Sequence, residues 1–237
     1  RGNDNMAEQN TYIYKKHIPR EKGIPDQFPL KCYRPAPDDI PPCSPEILVG
    51  MDSGISNTAF SYIELIRDRT TNALIDFKYG GTYYFKKVLD GFSCKLDKQI
   101  YLAEQYYNLF SHQRVSSLTF EVLSLNCPKN EETLKGILDA QTTTTIISTV
   151  AYQLNHHFNP VSATAIKHCL TGKGNASKYD MCMESYAWTR DEELLYNDHM
   201  ADAFACCFYT FIKELKESCA FHSIPIPQRF SYLLNCQ

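Results

Sequence analysis

The sequence predicts an α/β domain built on a mixed sheet and led by an irregular arm. Three observations point there. "EILVGMDSG" and "NTAFSYIELIR" are strand-like runs joined by a glycine turn, the pattern of antiparallel neighbours. From residue 98 onward, helix-length periodic segments alternate with strands, as in α/β folds. Before either, residues 1–46 hold 8 of the 12 prolines, which fix φ and remove amide donors.

Each element follows in order. The arm carries seven basic and seven acidic residues and reads as a surface strap or as an arm for DNA or a second subunit. After the first two strands, "ALIDFKYGGTYYF" supplies a further strand or hairpin. Residues 98–112 have helical periodicity, with Leu102, Tyr106 and Leu109 on one side. "VSSLTFEVLSLN" alternates as a strand. A long helix is expected from Asn130 to Phe158, with Asn130 as its cap and Glu131 and Glu132 at its positive end. Its "TTTT" run is β-branched and poor in helix propensity, so packing must override local preference. "PVSATAIKHCLTG" reads as a strand, "KYDMCMESYAW" as a helix and His199–Lys216 as a strong final helix. The expected division is an extension over 1–46, a domain over 47–216 and a short proline-bearing tail over 217–237.

Composition narrows the classes. With 43% hydrophobic and 22% charged residues in 237, the chain is globular and large enough for one sizeable core. A net charge of −3 does not advertise nucleic acid, although it leaves room for a local basic groove. No apolar run approaches the roughly 20 residues that span a bilayer, so no membrane partner is expected. The 10 cysteines include no Cys-x-x-Cys and several have apolar neighbours. They read as buried free thiols of an intracellular, reducing compartment, with cytoplasm, nucleus and mitochondrion not distinguished. No nucleophile context supports a thiol protease.

A few polar groups stand out by position. Asp52 closes the most strand-like segment, and Glu121 interrupts the apolar strand "LTFEVL". His199 and Asp202 are three apart at the start of the last helix and share a face, with Asp198 just before them. A carboxylate in a buried strand is costly unless it is paired or bound to a metal. Clustered, these groups form a hard oxygen set with one imidazole, suited to Mg²⁺ or Mn²⁺. Two such ions can serve phosphodiester hydrolysis. Taken singly, Asp52 reads first as a turn acid and His199–Asp202 as a helix-start pair favoured by the local dipole. Gly54 is expected to turn the chain tightly and leave Asp52 open. In "TGKGNASK", Lys173 and Lys178 suit phosphate contacts, or the stretch is an ordinary turn before a helix.

In order along the chain, "VGMDSGISNTAFSYIEL", "LTFEVLSLNCPKNEETLKGILDAQ", "IKHCLTGKGNASKYDMCMESY" and "HMADAFACCFYTF" resemble the RuvC family of Holliday junction resolvases, including its mitochondrial and poxviral relatives. The resemblance covers about residues 47–216 and implies an RNase H-like mixed sheet flanked by helices. It implies Asp52, Glu121 and Asp202 as carboxylate ligands, His199 in the fourth place and Asp198 as its alternative or auxiliary. Lys178 would stand near the scissile phosphate, with Lys173 and Lys167 on the DNA backbone. The activity implied is metal-dependent hydrolysis that leaves 5′-phosphates, with paired symmetric nicks in a four-way junction. A homodimer would make contact through the helix bearing "DAQTTTTIISTVAYQ". Two other functions share these residues: a related nuclease acting on flaps, branched DNA or RNA–DNA hybrid, and a non-catalytic DNA-binding or scaffold protein of the same fold.

Overall fold

A computed structural model describes residues 44–122 and 130–234. Nearly all of the N-terminal arm, the "LSLN" continuation of the fourth strand and Cys127 lie outside the described residues. The described chain forms β1 (Glu46–Asp52), β2 (Ala59–Arg67), β3 (Leu74–Tyr84), α1 (Lys86–Leu89), α2 (Lys95–Phe110), β4 (Arg114–Val122), α3 (Glu131–Gln153), β5 (His157–Ser162), α4 (Ala163–Thr171), α5 (Lys178–Thr189), α6 (Glu193–Tyr196), α7 (Asp198–His222) and α8 (Gln228–Leu234).

The five strands lie in the order β3-β2-β1-β4-β5. β1 pairs antiparallel with β2, and β2 with β3, whereas β4 runs parallel to β1 and β5 parallel to β4. This is the expected mixed sheet. Alternation along β1 divides the core into two layers. Ile47, Val49 and Met51 join Tyr106 and Phe110 of α2 and Ile147 and Val150 of α3. Leu48 faces the other way, toward Phe204, Phe208 and Phe211 of α7. Both rims of the sheet are irregular. β3 shifts register against β2 at its Gly80–Gly81 pair, and β5 carries Pro160, a residue tolerated at a sheet edge because it lacks an amide.

Three elements differ from expectation. The long helix stops at Gln153, because Asn155 takes a left-handed φ of 59° and turns the chain into β5. "PVSATAIKHCLTG" is not one strand: β5 ends at Ser162, whose Oγ accepts from the Ala165 amide and starts α4. The final helix runs on to His222, and α8 beyond it places Phe230 in the core. The threonine run remains helical because its hydroxyls find local acceptors. Thr142, Thr143 and Thr145 donate to the carbonyls of Leu138, Asp139 and Gln141, and Thr149 to that of Thr145. Of the six described cysteines, all free thiols, only Cys94 is exposed. No helix among the described residues is long and apolar enough to cross a membrane.

Candidate active site

The site begins with strand register. Met51 on β1 lies opposite Phe120 on β4, and both side chains face α2 and α3. The next residue on each strand therefore turns to the α7 face, which sets Asp52 and Glu121 side by side on strands about 4.8 Å apart. α7 then delivers its first turn. Asn197 caps it by accepting from the Met200 amide at 3.3 Å, and Asp198, His199 and Asp202 follow.

Gly50 makes this approach possible. It lies on the same face as Asp52, and a β-carbon there would collide with the α7 backbone at Ala203 and Cys207. With no side chain between them, helix and strand touch directly, and Asp202 is brought down beside the strand acids. Gly54, expected to be the essential turn glycine, has room for a β-carbon, its nearest neighbour being Asn57 at 3.5 Å. Its φ is not among the left-handed ones, which belong to Gly81 and Gly172 among described glycines. The turn is fixed by bonds instead: the Thr58 hydroxyl and the Asn57 amide both donate to the Gly54 carbonyl.

His199 Nδ1 lies 2.7 Å from Asp52 Oδ2. A carboxylate only accepts, so Nδ1 carries the hydrogen. That bond, outweighing partial burial, raises the imidazole above its ordinary range. Asp198 points elsewhere and pairs with Lys178. Burial alone would raise Asp198, but the Lys178 ammonium and the charge on His199 hold it below the usual carboxylate range. Lys178 is raised in turn, chiefly by the same bond. Asp202 is pushed up to about 7 by burial and then by the charges of Asp52, Glu121 and Asp198. Burial and then Asp52 also raise Glu121, against the pull of Lys167.

Most of the expected residues lie near one another in pairwise contact. Asp52, Glu121, Asp202, His199, Asp198 and Lys178 share one neighbourhood, and Lys167 on α4 acts on Glu121. Lys173 is exposed, and its charge bears on Asp180 at the start of α5. Much of "TGKGNASK" serves helix ends: Gly172, at φ 75°, closes α4, and Ser177 opens α5 through a capping box with Asp180. Three neighbouring carboxylates, with Asp202 kept protonated to about pH 7 by burial first and by the charges beside it second, are a donor set that fits a hard divalent cation, whose charge would relieve the repulsion. As the side chains stand, with Asp52 on His199 and Asp198 on Lys178, no three potential ligands among the described residues converge on one point.

Sequence reasoning missed three contributors. Gly50 carried a usable signal, since a glycine inside a strand often marks close backbone approach. Tyr84, stacked on His199, and Ser53, which accepts from Thr144 of α3 at 2.7 Å, depend on pairing across elements and had no local signal.

No protein-family model matches the chain, and no curated protein matches it. Among solved structures, T. thermophilus RuvC in complex with a Holliday junction substrate is similar, with a TM-score of 0.56 and 13% identity over 72% of this chain and 96% of that one. A second Thermus thermophilus RuvC structure matches with a TM-score of 0.51 at the same identity and coverage. The likeness spans almost the whole of those chains and assigns the fold: an RNase H-like mixed sheet flanked by helices, shared with RuvC.

Proposed function

We propose, from the RuvC fold and the acid cluster it carries, that this chain is a metal-dependent, structure-selective endonuclease that resolves four-way DNA junctions by paired symmetric nicks. One observation supports the reading above others. On that fold, Asp52 lies close enough to Glu121 and Asp202 for its charge, added to their burial, to raise the proton affinity of both, and His199 is bonded to Asp52. Crowded carboxylates are unfavourable for a purely structural role, whereas a phosphodiesterase needs them.

Asp52, Glu121, Asp202 and His199 would hold Mg²⁺ or Mn²⁺, two ions per site, with Asp198 beside them. Such ions supply positive charge for the attacking and leaving oxygens of a phosphodiester. The chain's own groups do the rest. The His199 Nδ1–H orients Asp52, and Lys178, tethered by Asp198, keeps an ammonium at the mouth of the cluster. Lys167 contributes a second cation beside Glu121, and Lys173 meets the DNA backbone further out. The twofold symmetry of a junction calls for two sites, hence a homodimer. The outer face of α3 suits that contact: Leu134, Leu138 and Tyr152 are exposed on it, beside a cleft of about 540 Å³ running to Phe158.

The test is cleavage of matched four-way, flap, RNA–DNA hybrid and linear substrates with Mg²⁺ or Mn²⁺. Symmetric nicks in the junction are expected to vanish in Asp52→Asn and Glu121→Gln while junction binding persists. Cleavage unchanged in both variants overturns the assignment, and a preference for flap or hybrid selects the related nuclease instead. Comparing His199→Ala with Asp198→Ala decides which of the two is the fourth ligand.

A further inference from the structure

We propose that Tyr84 is a positioning residue for His199, holding the imidazole so that its Nδ1–H stays on Asp52. The proposal rests on reading the acid–imidazole cluster as the cleavage site. It arises from one row of residues across the sheet. Asp52 on β1 lies opposite Ala59 on β2, and Ala59 lies opposite Tyr84 on β3. Residues in such a row point to the same face, here the α7 face. The middle member has only a methyl group, so a gap opens between the two longer side chains.

His199 descends from α7 into that gap. On one side its Nδ1 meets Asp52 at 2.7 Å. On the other, the Tyr84 ring lies nearly parallel to the imidazole, 18° apart with centroids separated by 6.0 Å. That separation and tilt match the offset stacking aromatic rings prefer. The tyrosine is itself held at both ends. Its backbone is paired into the sheet, and its hydroxyl donates to Asn57 Oδ1 at 3.2 Å, within the turn that follows Asp52.

The physical role follows from what one hydrogen bond leaves free. An imidazole tied only through Nδ1–H can swing about that bond or flip to present Nε2–H instead. A flat ring against one face limits the swing, and the Nδ1–H bond it thereby preserves fixes which nitrogen faces away from Asp52. The hydrogen bond made by one ring nitrogen decides what the other can do, and groups that set it commonly change metal affinity or rate about tenfold or more. Tyr84 acts through His199, on whose ring it lies.

The experiment uses the full chain with ¹⁵N-labelled histidine, without DNA or divalent ion, at a pH above the His199 titration. In the wild type, cross-relaxation between the Tyr84 and His199 rings is expected, and its absence overturns the proposal without any variant. Imidazole ¹⁵N shifts should report a single Nδ1–H tautomer in the wild type and in Tyr84→Phe, which keeps the ring. Tyr84→Leu should give a mixture of tautomers. In junction cleavage, Tyr84→Leu should lower kcat about tenfold at unchanged KM, with recovery in Tyr84→Phe. A Leu variant that keeps both tautomer and kcat overturns the proposal. A tautomer change in Tyr84→Leu with no cleavage of any substrate by the wild type sustains the positioning role and sinks the nuclease reading alone.

Discussion

A β-carbon on Gly50 would lie 2.0 Å from the Ala203 carbonyl oxygen and 2.6 Å from the Cys207 amide nitrogen. Both atoms belong to the α7 backbone, so no side-chain rotation relieves the overlap. Gly50→Ala must push the helix off β1, and since Asp202 adjoins Ala203, the helix acids move away from the strand acids. Overpacking of this kind costs about 3 kcal/mol. The expected result is a lower melting temperature together with loss of junction cleavage. A stable, fully active Gly50→Ala protein would show that the close approach has no part in assembling the site. Gly54→Ala is the contrasting control, because its β-carbon has space.

Among the elements, α5 links the glycine–lysine loop to the site. Ser177 Oγ accepts from the Asp180 amide at 3.1 Å, and the Asp180 carboxylate accepts from the Ser177 amide at 3.0 Å. Lys178, the first residue of the helix, is thereby aimed at Asp198. Ser177→Ala should remove about 1 kcal/mol of local stability. Amide exchange over residues 178–181 should then quicken roughly fivefold; unchanged exchange would mean that the Lys178–Asp198 pair alone fixes the turn. This helix was legible in the sequence because cap, acid and apolar spacing agree. The segment from 154 to 171 was not. In "PVSATAIKHCLTG" the apolar residues suit either period, and the signals that decide it are single residues: Asn155 in a left-handed conformation and Ser162 as a cap. For the site, the acids were legible because a buried charge in a strand demands a reason. Gly50 left a trace as a glycine inside a strand, whereas Tyr84 acts through a β3–α7 contact that no local window contains.

At the scale of the molecule, raised proton affinities dominate the dependence of stability on pH; His156, lowered to about 4 by burial, opposes them below its ordinary range, but it is one group against several. Asp202 and Glu214 are both raised to about 7, Asp202 at the site and Glu214 by burial and the nearby Glu46. Between the ordinary carboxylate range and 7 the folded state binds more protons than the unfolded, so stability falls as pH rises through that window. His199 adds to the trend, since its raised value gives stability below its unfolded titration that is lost as pH climbs through the folded one. The ion-free protein should therefore melt at a higher temperature at pH 5 than at pH 8. Glu214→Gln should flatten the slope, by roughly 3 °C for each kcal/mol recovered, and leave cleavage intact. An unchanged slope in that variant would refute the contribution of Glu214. The rims of the sheet have a different consequence. Pro160 withholds an amide along β5, and the Gly80–Gly81 register shift breaks the row along β3. Neither border presents an uninterrupted ladder of donors and acceptors to a foreign strand. Both borders disfavour extension of the sheet, so the homodimer proposed above would form helix against helix.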